Sequence, residues 1–518
     1  MTDDLPSIHT LLDRAADAVA RARAAGADSA EAVVRAGFAS SIGVRLGALE
    51  DVARSEESDL SIEVYIGQRS ASVSTADHSP AALDALVERA VAMARLAPEN
   101  PWSGLAPAEL LFKGAAPDFD MADPGGEPSP DTLRAMALAA EDAARAVPGV
   151  TNSEGGSAAA NRAAHAHVSS NGFAGGSIVS GYSISASVLA GEGERMQRDY
   201  DWHSARHLAD LRDAATVGRR AGERAVARLD PAPLRSGPMP VLFDPRVAGS
   251  IVGHLIGAMS GPSVARGKCF LSSHAGERLF PDDIVIEEDP HRLRGLKSRA
   301  FDGEGLPTRA RRLVDAGVIG PWLCDMAAAR QLGCAPTGHG SGGGGVSTAN
   351  LTLLPGLVNR DALMADIKEG VLVTEMIGQG VDMLTGDYSR GASGWRIVNG
   401  QIAGPVACFT IAGSLLAMFA DLRAANDLCT DHATHVPTLR TDSMTVAGDS
   451  RHHPHRSDCL RRARSRRRRA RPMAAPARRR RPRPVEQGRR KPGLRGRYRN
   501  RPPPQSNARR DRSRGGLA

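Results

Sequence analysis

His254 is the residue of this chain best placed to do metal chemistry. It lies in "GHLIGAMSG", Gly253–Gly261, within a segment of helical spacing. A hydrolytic zinc centre takes three protein ligands, an open position for water, and a general base that is commonly Glu. On a helix the compact form is H-E-x-x-H, with both imidazoles on one face. Here Leu255 stands where the Glu would be, and Ala258 and Met259 fall at the second-ligand spacings. Methionine is a soft, weak donor that suits Cu(I) better than zinc. One imidazole without a base or a second donor reads as a hydrogen-bonded helix residue, not as a hydrolytic centre.

Other residues have side chains that could do chemistry. Asp302 and Glu304 in "FDGEG", and Asp387 and Arg390 in "GDYSRGASG", sit in Gly-rich loops. Paired carboxylates can share acid–base work; without a nucleophile or metal, they read as turn-forming and loop-anchoring residues. Ser389 has no visible His–Asp partners. "GSGGGG", Gly340–Gly345, formally fits G-x-G-x-x-G, but helix-like "CDMAAARQLG" precedes it and strand-like "VSTANLTLLPG" follows. A dinucleotide loop needs the reverse order, so a flexible loop is expected. His452, His453, His455 and Cys459 cluster in "RHHPHRSDC", where loose, fortuitous metal affinity is expected. The remaining cysteines, Cys269, Cys324, Cys334, Cys408 and Cys429, form no CxxC pair and read as free core thiols.

The elements that must position these residues are legible. Ser7 caps a helix that stops before Gly26, with Leu11, Ala15 and Val19 on one face. "LSIEVYIGQRSASVS" alternates as strands turning at "IGQR". Ser79–Pro80 and Ser129–Pro130 open two more helices, each as cap and first helical residue. Asn171–Gly172 marks a hairpin, after which Ile178, Tyr182, Ile184, Ala186 and Val188 share a buried face. A long helix is expected from about Ala205 to Leu229. Asp244–Pro245 then opens the helix that carries His254, followed by many short apolar segments between Gly turns. The expected class is α+β. Two N-terminal α/β subdomains (1–105 and 125–232) have largely antiparallel sheets, and a β-rich C-terminal domain spans 238–448.

Charge divides the chain. Residues 449–518 hold 26 Lys+Arg against 4 Asp+Glu, a net +22, which leaves residues 1–448 with 40 against 54, a net −14. The tail is nearly all Arg, Pro, Ala and Gly and cannot bury a core, so disorder is expected. Two readings stand for it: a basic arm with salt-dependent, nonspecific affinity for nucleic acid, or an out-of-frame extension of a GC-rich message. No run approaches a membrane span, and "MTDDLPSIHT" lacks the pattern of a secretory signal, so a cytoplasmic protein is expected.

"GHLIGAMSGPSVARGKCFL", "EEDPHRLRGLKSRAFDGEG", "TGHGSGG", "GVLVTEMIGQGVDMLTGDYSRGASG" and "TIAGSLLAMF" occur in this order. Together they resemble the TldE/PmbA subunit of the TldD/TldE metalloprotease family, from near the N-terminus to Gly448. In that family the peptidase subunit, TldD, carries H-E-x-x-x-H and zinc on the corresponding helix. The resemblance places His254, Leu255 and Met259 at or next to the first His, the Glu and the second His. It implies a chain without a metal site or catalytic residues of its own. It also implies zinc in a TldD-like partner and flexible peptides, including leader segments, as substrates. Against it stands a self-sufficient peptidase whose ligands come from distant positions such as His254, His339 and Asp302.

Overall fold

The computed structural model describes residues 5–448. The expected tail disorder and the cluster of His452, His453, His455 and Cys459 lie outside the described residues. The N-terminal part begins with α1 (Ile8–Ala24), where Ser7 Oγ accepts from the Thr10 N–H at 3.1 Å and Leu11, Ala15 and Val19 are buried. Strands β1 (Ser29–Arg45), β2 (Ala48–Ile66) and β3 (Arg69–Thr75) follow, then α2 (Pro80–Leu96) behind its Ser79 cap. The next unit is α3 (Pro130–Arg145, capped by Ser129), β4 (Val150–Ser169), β5 (Ala174–Ala190), β6 (Gln197–Ala205) and α4 (Ala214–Ala227).

The strands of both units lie in one six-stranded antiparallel sheet, ordered β3-β2-β1-β4-β5-β6. The seam between the units is the β1–β4 pairing, from Glu31 opposite Ser169 to Val44 opposite Gly156. Helices α1 and α2 bury the half that contains Val34, Leu60 and Ile62; α3 and α4 bury the half that contains Ile184 and Val188. Alanine dominates these faces, so helix and sheet approach closely. Gly218 of α4 lies against α3 so tightly that an added Cβ would sit 1.9 Å from the Ala140 carbonyl oxygen.

The helix expected from Ala205 is shorter than its sequence pattern. Strand β6 runs through Ala205, and Asp213 caps α4 by accepting from Thr216 N–H at 2.9 Å. Tertiary bonds hold the intervening segment. His207 Nε2 meets the Asp120 carbonyl at 2.9 Å, and Asp123 accepts from Leu208 N–H at 2.8 Å. Those bonds fix the backbone where propensity alone would extend the helix.

The C-terminal part holds an eight-stranded and a five-stranded sheet around a large shared core. In the larger sheet Val241–Phe243 pairs parallel with Glu369–Ile377, which pairs antiparallel with Asp387–Val398. Asn399 and Gly400, both at positive φ (48° and 75°), turn that strand into Gln401–Ser414. Helix α5 (Pro245–Ala258) leaves the end of Val241–Phe243 and buries Ala248, Ile251, Val252, Leu255 and Ala258. Among the described residues no helix is long and apolar enough to cross a membrane.

Candidate functional site

Helix α5 is aimed by its first turn. Asp244 Oδ1 accepts from Arg246 N–H at 3.1 Å, and Pro245 presets the first helical φ. The Arg246 guanidinium reaches back to β6, donating to Asp199 Oδ1 at 2.7 Å. Asp199 also takes Arg228 at 3.2 Å, and Glu375 takes Arg228 and Arg198 at 2.7 Å each. Burial pushes the Asp199 carboxyl up, but the two guanidiniums, Arg246 foremost, hold it below its ordinary value. Five charges from four elements thus fix the start of α5 against the N-terminal sheet. A buried pair of this kind is costly to break from one side.

Farther along α5 the three positions singled out by spacing diverge. Leu255 (1% exposed) and Met259 (0%) point into the C-terminal core. His254 is half-buried on the flank, edge-on to the Tyr388 ring with centroids 5.9 Å apart. Its Nε2 is buried without a hydrogen-bond partner. Burial first, and the Arg390 charge second, hold the imidazole below its ordinary pKa. Tyr388 donates to Met376 Sδ at 3.1 Å, and burial pushes its phenol up to about 12. Arg390 donates through Nη2 to the Gly378 carbonyl at 2.6 Å, while its Nε is buried and unpaired. A zinc ion does not fit these residues: one imidazole stands beside a permanent positive charge, and the helix aims no second donor at it.

The distant candidates are engaged elsewhere. His339 Nε2 lies 2.7 Å from Glu288 Oε2, and its Nδ1 lies 2.9 Å from Thr337 Oγ1. Asp302 accepts from the backbone N–H groups of Glu304, Leu306 and Gly340 at 2.8–2.9 Å, as a loop anchor does. Among the described residues no three His, Cys, Asp or Glu side chains stand together as a metal-binding group. Glu304 is the most perturbed carboxyl of that loop. Burial, and then the Asp302 charge, raise it to about 8, while the Met326 N–H bond opposes the shift. Asp387 accepts from Thr385 Oγ1 at 2.8 Å in its own turn. Ser389 is exposed, and its N–H donates to the Gly380 carbonyl at 2.6 Å.

The loop Gly340–Gly345 follows the short helix Met326–Leu332 and precedes the strand Asn350–Leu353, so its context is not that of a dinucleotide loop. Gly303 N–H donates to the Gly340 carbonyl at 2.7 Å, and Gly345 N–H to Asp325 Oδ2 at 2.9 Å, tying both ends down. Sequence reasoning missed Tyr388 as a companion of His254. Tyr388 and Arg390 are two residues apart on one strand and so share a face, which is a usable signal. The Asp199–Glu375 clamp left no such trace, because its members are scattered along the chain.

The comparisons agree along the whole described body. The PmbA/TldA metallopeptidase domain 1 matches residues 30–94, the central domain 123–229 and the C-terminal domain 236–448. The chain is 36% identical over 440 residues to Metalloprotease PmbA of Escherichia coli O157:H7, covering 85% of this chain and 96% of that protein. It is also 36% identical to the Metalloprotease PmbA homolog of Haemophilus influenzae, covering 83% and 95%. A crystal structure from Bacteroides thetaiotaomicron, described as a candidate modulator of DNA gyrase, superposes with a TM-score of 0.78 at 26% identity, covering 84% and 98%. TldE from Thermococcus kodakarensis superposes at 0.73 with 18% identity, covering 84% and 100%, which speaks to the fold alone. With these domains in order and this identity along nearly the full length of its relatives, the chain belongs to the PmbA/TldD metalloprotease family.

Proposed function

We propose that this chain is the noncatalytic subunit of a two-subunit peptidase. In this reading a TldD-like partner holds zinc and the general base, and this chain completes the chamber that receives unfolded or flexible peptides, leader segments among them. His254, Leu255 and Met259 are then the degenerate counterparts of the partner's ligand helix. The observation that carries the reading is the environment of α5. Its single imidazole faces Arg390, and the residues at the base and second-ligand spacings are buried in the core. A water-activating centre cannot be assembled there without a second donor and a base.

The test pairs metal analysis with reconstitution. The chain ended after Gly448, so that the tail histidines are gone, is expected to retain almost no zinc after dialysis. Cleavage of an unfolded peptide is expected only when a TldD-like chain is added. Retention of about one zinc per chain, the stoichiometry of a mononuclear catalytic site, would overturn the reading. So would cleavage by this chain alone.

A further inference from the structure

The flank of α5 holds two buried nitrogens without hydrogen-bond partners, His254 Nε2 and the N–H of Arg390 Nε. They meet around one aromatic ring: the imidazole packs edge-on against Tyr388, and Arg390 lies two residues along the same strand, on the same face as that tyrosine. Buried polar atoms in folded proteins are nearly always paired, so two unpaired nitrogens beside one ring leave this place able to take a further polar group. Among the described residues no carboxylate forms an ion pair with Arg390, whose charge is met only by a backbone carbonyl and the tyrosine. The acids of the adjoining turn bond within it, Asp382 accepting from Leu384 N–H and Asp387 from Thr385 Oγ1. The helix surface beside this pair is bare. Gly253 and Gly257 are exposed; a Cβ on Gly253 would meet nothing within 4 Å, and one on Gly257 only the Met383 methyl at 3.4 Å.

We propose that His254 and Arg390, backed by Tyr388, form a binding subsite for a carboxylate carried by an extended peptide lying along the glycine face of α5. Both side chains are partly exposed, and a guanidinium together with an imidazole in its donating tautomer can serve such a group. The bare glycines let a peptide backbone approach the helix closely. The subsite rests on the peptide-handling reading only for the kind of ligand it takes.

The experiment uses the full chain without any partner, so its failure is distinct from a failure of the two-subunit reading. Three blocked tetra-alanine probes are titrated by calorimetry at near-physiological salt: the free C-terminal acid, its amide, and an amide in which one alanine is replaced by Glu. The acid is expected to bind roughly tenfold more tightly than the plain amide, as one charge-assisted pair allows. Arg390→Met is expected to lower that preference to what the basic tail alone supplies, a background measured with the same probes on a peptide of residues 449–518. Binding of the Glu-bearing amide tighter than the acid assigns the carboxylate to a side chain, weaker binding assigns it to the peptide C-terminus, and equal binding shows that the subsite takes either. The His254 ring resonance of the unaltered chain is expected to move with the acid and not with the amide, a readout that stands even where Arg390→Met does not fold. Equal binding of acid and plain amide with no gain from Glu, a preference undiminished by Arg390→Met, or an unmoved His254 resonance would each overturn the proposal.

Discussion

Glu304 lies among other acids, with Asp302 in its own loop, Asp325 capping the helix Met326–Leu332 and Glu31 on β1 all contributing to its shift. The unfolded chain would ionise this group near its ordinary value of 4.5, and the folded chain near 8. Below both values the proton is bound in either state, and there is no penalty. As pH rises between them, the unfolded chain releases a proton that the folded chain keeps, so stability falls. Above about 8 the penalty is complete. Glu304→Gln keeps the acceptor for the Met326 N–H and removes the titration. The variant is therefore expected to match the parent near pH 5, and to exceed it by on the order of a few kcal/mol near pH 8. Urea unfolding at the two pH values checks this, and a constant difference between them would sink it. At this scale the sequence named His254, Asp302, Glu304 and Arg390 but not their relations. Burial and strand register, which decide whether a carboxylate ionises or an imidazole finds a partner, are not local properties.

Helix starts were the most legible elements, because a cap is a bond between residues two or three apart. Ser7, Ser79, Ser129 and Asp244 each accept from a backbone N–H of the helix they open. The helix expected from Ala205 failed for the opposite reason, since bonds to Asp120 and Asp123, far back in the chain, hold its first stretch out of helical form. Close packing was equally invisible. Gly218 reads as a weak spot in a helix, yet it is where α3 and α4 touch. Gly218→Ala would gain helix propensity. It is nevertheless expected to lose about 2 kcal/mol or more by forcing the helices apart. An unchanged urea midpoint would show that the helices separate freely at this point.

Across the whole molecule, composition separated an acidic body from a basic tail, and the described body ends at Gly448 where the family match ends. What composition could not reveal is that the two N-terminal units share their strands' hydrogen bonds across β1 and β4. That seam has a consequence for how the protein is made. While the ribosome is still producing the first 105 residues, the hairpin of β1 and β2 has one long edge whose partner, β4, has yet to be synthesised. The early chain must wait, exposed to chaperones and proteases, until roughly the end of α4 has emerged. Nascent chains stalled about forty residues beyond residue 105 are therefore expected to be digested readily, and those stalled about forty residues beyond Ala227 to resist, the extra length clearing the exit tunnel in both. Equal resistance at both lengths would mean that the first unit closes its own edge during synthesis.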